Sequence, residues 1–359
     1  MGDASTRITV NAEVPYEVTI GRGVRKEVSS HLAGVARVAI VVPELLLPFA
    51  HDVLESADGA GCEVTLITPP IGEAQKNIEW VSKAWGVLAD AGFTRSDLIV
   101  GVGGGATTDL AGFIAASWLR GVRWIAAPTT LVGMVDAAIG GKTGINTDAG
   151  KNLVGAFHSP VAVLCDTEFL SSLDEKDFSA GLAEVVKCGF ISDPGILEIV
   201  EADPVAARRW DGDALFELIE RAVRVKAHVV GSDFKEGGLR EILNYGHTLG
   251  HAIERNENYQ WRHGDAVSIG LVYAAALARL AGRLDQATAD RHRRILVSLD
   301  LPVSYRNDAW PSLLAAMSLD KKTRAKQLRF VILDGLALPS RLEGPELSLL
   351  ERAYEEVAE

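Results

Sequence analysis

The sequence predicts an α/β domain built on a largely parallel sheet, followed by a helical domain, with residues 1–172 forming the first and 173–359 the second. Two observations carry this. Through the first half, short β-branched runs alternate with helical patterns, as crossover units require. Beyond about residue 170 helical periodicity dominates, with few strand candidates before LRFVILDGLAL near the end.

The strand candidates, in order, are ITVNAEV, ARVAIVV, CEVTLIT, DLIVGVG, RWIAAP and VAVLCD. Gly and Pro punctuate their ends at Pro43, Pro69, Pro70, Gly103 to Gly105 and Pro128. NIEWVSKAWGVLADAG reads as a helix between two of them, and AGLAEVVKCGF and GDALFELIERAVRVKAHVV read as helices of the second half.

A chain of 359 residues exceeds one typical core, and 48% apolar with 23% charged residues is ordinary for a soluble globular protein. The net charge of -12 argues against nucleic acid as a partner. It leaves room for an anionic small molecule, since a local Lys and Arg cluster can outweigh the global sign. Cys62, Cys165 and Cys188 are odd in number, far apart and in apolar settings, so reduced, buried thiols are expected rather than a disulfide framework. The first residues have no apolar core of a signal peptide, and no stretch of about 20 residues is both apolar and uncharged. A cytoplasmic protein that does not enter a membrane is expected.

Residues 97–110, DLIVGVGGGATTDL, run an apolar strand into Gly103, Gly104 and Gly105, then into a helix with Thr107 or Thr108 as its expected cap. Glycines let the backbone approach a phosphate, and a helix start offers free N–H groups and the positive end of a dipole. The match to G-x-G-x-x-G is partial, so this could equally be a tight strand-to-helix turn. Asp109 is then either a dipole-favoured acid or a ligand for ribose or nicotinamide groups. Pro128-Thr129-Thr130 ends the next strand. MVDAAIGGKTGINTDAGKN follows, with Asp136, Lys142, Lys151 and Asn152, a stretch poor as core and suited to an anionic ligand.

His247, His251 and His263 fall within seventeen positions, in REILNYGHTLGHAIE and RHGDAV. If the first segment is helical, Asn244, His247 and His251 share a face, and Arg240 joins the stripe if the helix reaches back that far. Gly246 and Gly250 beside them would provide close packing or ligand access. Thr248 stands where H-E-x-x-H would need Glu, so the metalloprotease pattern is excluded. Glu184, which shares a helical face with Lys187, is the best candidate for a third ligand. Two imidazoles and a carboxylate suit a catalytic zinc, and iron or cobalt could fit the same set.

Together these pieces resemble the 3-dehydroquinate synthase family of the sugar phosphate cyclase superfamily, over essentially the whole chain. The matching motifs are GEAQK at 72–76, GGGATTD at 103–109, ASWLRG at 116–121, PTTLVGMVDAAIGGKTGIN at 128–146, GKNLVGAFH at 150–158, GLAEVVK at 181–187, ILNYGHTLGHAIE at 242–254 and HGDAV at 263–267.

The resemblance implies a dehydroquinate synthase-like fold: a Rossmann-like, NAD-binding α/β domain plus an all-α metal-binding domain. It implies Glu184, His247 and His263 as ligands of Zn2+, with Co2+ possible. Glu73, Lys76, Gly104, Gly105, Asp109, Thr129, Thr130, Asp136, Lys142, Lys151 and the segment Phe169, Leu170, Ser171 and Ser172 would contact NAD. Asp136, Lys142, Asn152, Lys187, Lys226, Arg240, Asn244 and His251 would meet the substrate. Lys321 or Lys322 would reach its phosphate, as would Arg120 from the partner in a homodimer. HGDAV departs from the family, which usually has Glu after the glycine; Asp265 there could alter the geometry around the adjacent ligand without removing one.

The implied reaction belongs to the shikimate pathway and aromatic amino acid biosynthesis. It converts 3-deoxy-D-arabino-heptulosonate 7-phosphate to 3-dehydroquinate and phosphate, by transient oxidation, β-elimination, re-reduction, ring opening and aldol closure. Net redox is zero, so the enzyme would be a carbon-oxygen lyase, with His251 as proton shuttle. The rival readings are another sugar phosphate cyclase, a metal-dependent polyol dehydrogenase and a non-catalytic NAD-binding protein.

Overall fold

The computed structural model describes residues 5–324 and 327–359, with the backbone alone for 319–324. The chain divides into two compact units. The first runs to Leu173 and takes in Lys226–Lys235; the second comprises Asp174–Val225 and the chain from Glu236 onward. No linker composition marks the excursion at 226–235, which lies at the end of a helical pattern read as part of the second half.

In the first unit the strands are β1 (Thr6–Val10), β2 (Tyr16–Gly21), β3 (Arg37–Val41), β4 (Glu63–Ile67), β5 (Leu98–Gly103), β6 (Arg123–Pro128), β7 (Lys142–Thr147), β8 (Gly150–Phe157) and β9 (Ala162–Asp166). Seven form one sheet in the order β1-β2-β9-β6-β5-β3-β4. All its pairs are parallel except β1 with β2. The central strands β5 and β9 are buried at every residue, which is why they read as unbroken apolar runs rather than as alternation. All six strand candidates become strands. β2 and the antiparallel hairpin of β7 and β8 were not among them. The hairpin hides in the sequence because Gly144 and Gly155 face each other across it, and a Cβ on Gly155 would stand 2.2 Å from Thr143 O.

Helices α1 (His51–Gly59), α2 (Ile78–Asp90) and α3 (Gly105–Ser117) complete this unit. Asn77 caps α2, its side chain accepting from Trp80 N at 3.1 Å. Helix α3 lies so close to β5 that a Cβ on Gly101 would meet Ala111 Cβ at 2.6 Å. Strands β5 and β6 are neighbours, with Gly103 opposite Pro128. The glycine turn and Thr129–Thr130 therefore emerge side by side at the carboxyl edge of the sheet, where open α/β sheets hold ligands.

The second unit is helical: α4 (Glu175–Ile191), α5 (Gly195–Ala202), α6 (Pro204–Ala207), α7 (Asp213–Ser232, whose last residues count with the first unit), α8 (His247–Asn256), α9 (His263–Leu280), α10 (Gln286–Ser298), α11 (Trp310–Arg324) and α12 (Leu347–Glu355). One antiparallel hairpin joins them, β10 (Arg329–Leu333) with β11 (Pro339–Glu343). Helix α9 is buried at every residue from Ala266 to Ala278, as a helix apolar all round must be. Each fully buried Leu, Ile or Val there contributes roughly 1.5–3 kcal/mol before entropy is counted. Among the described residues no helix is long and apolar enough to cross a membrane.

Candidate metal centre and nucleotide turn

Three helices of the second unit bring Glu184, His247 and His263 together. Glu184 sits mid-way along α4, while His247 and His263 are the first residues of α8 and α9. The convergence depends on glycines that let backbones touch. A Cβ on Gly264 would fall 1.7 Å from Ala180 O on α4, and one on Gly270 of α9 would fall 1.9 Å from Gly246 O at the start of α8. No larger residue is tolerated at either point without separating the helices.

The donor atoms of the three residues lie within 4.8 Å of one another. Glu184 Oε1 is 3.4 Å from His247 Nε2 and 3.2 Å from His263 Nε2. Neither Glu184 oxygen makes a contact of hydrogen-bond geometry, although Lys187 Nζ is ion-paired with Oε2. The other nitrogen of each ring is held by an acceptor. His247 Nδ1 lies 3.0 Å from the Tyr245 carbonyl, and His263 Nδ1 lies 3.2 Å from Glu254 Oε2. A carbonyl or carboxylate only accepts, so Nδ1 of each ring carries a proton, and Nε2 is the nitrogen directed at the Glu184 carboxylate. Two imidazole Nε2 atoms and a carboxylate directed at one spot fit a divalent cation, and the outer acceptors are those that orient metal-bound imidazoles.

The field favours a positive charge there. Burial works against the charged form of Glu184, yet Lys187, His247 and His263 hold its pKa well below the usual carboxylate range. Burial likewise opposes the charged form of His263, but the Glu184 and Glu254 carboxylates outweigh it and raise the ring to about 10. His247, buried and beside Lys187, is lowered.

His251 lies one turn further along α8, its ring 5.2 Å from that of His247 and 6.1 Å from that of His263. Surrounding protein and the two neighbouring rings lower its pKa, although the side chain is open to solvent, which limits how far burial can act.

The stripe of Arg240, Asn244, His247 and His251 on one α-helix does not form. Leu239–Asn244 is a 3-10 turn, and Gly246 at φ +79° breaks the chain before α8 begins. A left-handed residue cannot continue a right-handed helix. Gly246 is thus a helix cap, not a mid-helix glycine, while Gly250, whose Cβ would meet Ala266 O at 3.3 Å, serves close packing. Arg240 is nonetheless buried, at 1% exposure, and Asn244 Nδ2 donates to Glu236 Oε1 at 3.4 Å.

In the first unit Gly104 caps α3 with its backbone, not Thr107 or Thr108. Thr107 N and Thr108 N bond back to Gly104 O, and Thr108 Oγ1 donates to Gly105 O, so the threonines lie inside the first turn. The N–H groups of Gly105 and Ala106 head the helix, the arrangement that binds anions. Thr130 Oγ1 accepts from Gly133 N at 3.1 Å, and Thr129 N donates to Gly103 O at 2.9 Å, which ties the two turns together.

Lys76, at 3% exposure, donates to Asp109 Oδ2 at 2.6 Å and to Asn152 Oδ1 at 2.5 Å. Burial pushes Asp109 up to about 6 against the pull of Lys76. Glu73 accepts from Asn146 Nδ2 at 2.7 Å. Asp136 lies on a single π-helical turn, Gly133–Ala137, and is ion-paired with Lys226. Lys142 is exposed at the start of β7 and Lys151 is half-buried at the start of β8. Phe169 and Leu170 are buried and Ser171 and Ser172 exposed, on a 3-10 segment anchored by Asp166, which accepts from Gly23 N, Arg25 and Glu168 N. Arg120 is exposed on a turn where Leu119 and Arg120 have φ of +47° and +67°. The side chains of Lys321 and Lys322 lie outside the described residues.

Three participants escaped the sequence reading. Glu254 supplies the carboxylate against His263, a place considered for Asp265. Glu236, at φ +60°, meets Asn244. The acceptor for His247 is a backbone carbonyl, which no residue type announces.

The fold class is that of the dehydroquinate synthase-like sugar phosphate cyclases. A 2-epi-5-epi-valiolone synthase of Streptomyces hygroscopicus, solved with NAD+ and Zn2+ bound, superposes with a TM-score of 0.88 at 24% identity, covering 98% of this chain and 99% of that one. A 2-deoxy-scyllo-inosose synthase complexed with carbaglucose-6-phosphate, NAD+ and Co2+ gives 0.87 at 25% identity, covering 99% and 100%. Residues 66–180 match the 3-dehydroquinate synthase N-terminal family and residues 181–323 its C-terminal family. The 3-dehydroquinate synthase of Streptomyces avermitilis is 58% identical over 363 residues, covering all of both chains. The chain belongs to the 3-dehydroquinate synthase family and is a lyase-type enzyme.

Proposed function

We propose that the chain converts 3-deoxy-D-arabino-heptulosonate 7-phosphate to 3-dehydroquinate and phosphate with a divalent cation on Glu184, His247 and His263 and an NAD on the first unit. The observation that carries this reading is the convergence of two Nε2 atoms on a buried carboxylate, each ring fixed by an acceptor at Nδ1. When bound, Zn2+ or Co2+ supplies acidification of a substrate hydroxyl, and NAD supplies a reversible hydride acceptor.

The chain's own groups then divide the work. The Gly105 and Ala106 N–H groups receive the pyrophosphate, with Gly104 keeping the approach clear. Asp109, held by Lys76, faces the nucleotide, and Glu73, Thr129, Thr130, Asp136, Lys142, Lys151 and the 169–172 segment complete its surroundings. His251 holds and returns the proton of the hydroxyl that is oxidised and restored. Lys187 keeps Glu184 ionised and is a second cation beside the reacting hydroxyls. Arg240 and Asn244 take the substrate carboxylate, because a buried carboxylate needs a paired cation or several donors. Lys226, ion-paired with Asp136, shares this role. Asn152, Lys142 and Lys321 or Lys322 serve the phosphate, whose developing charge they stabilise as it leaves.

Arg120 acts from a partner in a homodimer. Its strained, exposed turn supports this, as do Leu153, Val154 and Phe157, exposed at 59%, 43% and 43% on β8. The buried free thiols of Cys62, Cys165 and Cys188 accord with a cytoplasmic enzyme.

The test incubates the enzyme with the keto acid phosphate and follows phosphate and NADH together. Phosphate should match product over many turnovers per NAD, with no growth of NADH. NADH rising in step with product would replace the lyase by a dehydrogenase, and efficient cyclisation of glucose 6-phosphate would point to another cyclase of this fold.

A further inference from the structure

The ring of His247 is oriented by a carbonyl that its own helix does not hold. Tyr245 lies between a 3-10 turn and α8, at φ -56° and ψ 125°, followed by Gly246 at φ +79°. A carbonyl in such a kink lacks the helical bond that would fix its direction. What anchors it is the Tyr245 side chain, which is fully buried with its hydroxyl 2.9 Å from His292 Nε2.

His292 is itself 0% exposed, and the proposed chemistry gives it no task. Its Nδ1 lies 2.8 Å from the Thr288 carbonyl, so Nδ1 carries the proton, Nε2 accepts and Tyr245 donates. Burial pushes this ring down to about 3, which keeps it neutral and keeps that acceptor in place near neutral pH. Phe190 stacks on the imidazole at 3.4 Å with planes 9° apart. Phe190 belongs to α4, the helix that carries Glu184. The chain of contacts thus runs from α4 and α10, through the Tyr245 hydroxyl and backbone, to the ring of His247. A core histidine that only filled space would have no reason to end on the residue whose carbonyl sets a metal ligand's tautomer.

We propose that Tyr245 and His292 are positioning residues for the metal centre, acting as one unit that aims the Nε2 lone pair of His247. This rests on the assignment of Glu184, His247 and His263 as the ligands. Zinc affinity, by competition with a chelator, and the d–d absorption of the cobalt-loaded protein test it. Tyr245→Phe and His292→Leu should each weaken zinc by about 10–100-fold and shift the cobalt bands, the usual penalty for an outer partner. The double variant should be no worse than either, because the two act through one contact. His292→Gln can accept from Tyr245 and donate to Thr288, so it should recover most of the affinity.

Single variants that melt at lower temperature but bind zinc as the wild type does would reduce the pair to core packing and overturn the proposal. So would losses that simply add in the double variant, or a failure of both single variants to melt cooperatively. His247→Ala, run in parallel, separates this from failure of the ligand assignment. If it keeps zinc, the assignment itself falls; if it loses zinc while the Tyr245 and His292 variants do not, only the positioning role falls.

Discussion

The two units handle charge in opposite ways. At the head of α3 the first unit offers backbone N–H groups, and its nearby buried cation, Lys76, is already matched by Asp109 and Asn152. The metal centre of the second unit is built from side chains, two imidazole Nε2 atoms directed at one buried carboxylate that Lys187 also meets. A backbone-built site loses little when one side chain is cut, whereas a three-donor site loses most of its function. Substitutions in the two units should therefore differ in kind as well as in size.

The largest effect should come from removing a donor. His247→Ala should bring turnover to background and abolish stoichiometric metal, with the far-ultraviolet circular dichroism kept, since His247 opens α8 rather than filling its core. Metal analysis and the phosphate assay check this. A variant that kept both metal and activity would erase the contrast between the units.

Arg240→Ala should follow, lowering kcat/KM for the keto acid phosphate by about 2–5 kcal/mol, the range for stranding a buried charge partner. NAD and metal affinities should scarcely change, because Arg240 belongs to neither the donor set nor the glycine turn. Equal kcat/KM in variant and wild type would take the carboxylate away from Arg240.

The donor cluster and the glycine turn could be read from residues alone, for a physical reason. Metal donors are His, Cys or acid, and His247, His251 and His263 are too dense and too polar for an ordinary buried stripe; phosphate cradles favour glycine, and Gly103 to Gly105 end an apolar strand. What stayed hidden is what residue type does not encode. The single-helix stripe failed at Gly246, where close contact with Leu271 and a left-handed backbone outrank periodicity. The Thr107 and Thr108 caps failed because Gly104 had already satisfied their N–H groups. The β7–β8 hairpin looked like a polar loop because β8 exposes most of its side chains and pairs through glycines. Glu254 ended a motif already under scrutiny, and only its distance from His263 gives it a role.

Glu254→Gln sharpens the contrast further. It keeps an acceptor near His263 Nδ1 but removes the charge, so the cation should bind about 10–100-fold more weakly while donor atoms stay in place. Titration with zinc in a competing chelator reads this directly. Undiminished affinity would mean that Glu254 fills space beside His263 and does not orient it.

The smallest effect belongs to the first unit, and its pH dependence vanishes at neutral pH. Asp109 has its pKa raised from 3.8 to about 6, chiefly by burial, with Lys76 opposing. Between these values the folded chain holds a proton that the unfolded chain has lost, so stability falls as pH rises through this window and is flat above it. The slope is at most about 1.4 kcal/mol per pH unit. Asp109→Asn should abolish that component. The quantity to compare is therefore the shape of the curve: urea midpoints at pH 4, 5, 6 and 7 for both proteins. Their difference should change between pH 4 and 6 and be constant from 6 to 7. A difference independent of pH throughout would mean that Asp109 is ionised across the whole range. The first unit would then hold a fully matched ion pair with Lys76, and its contrast with the second would be sharper still.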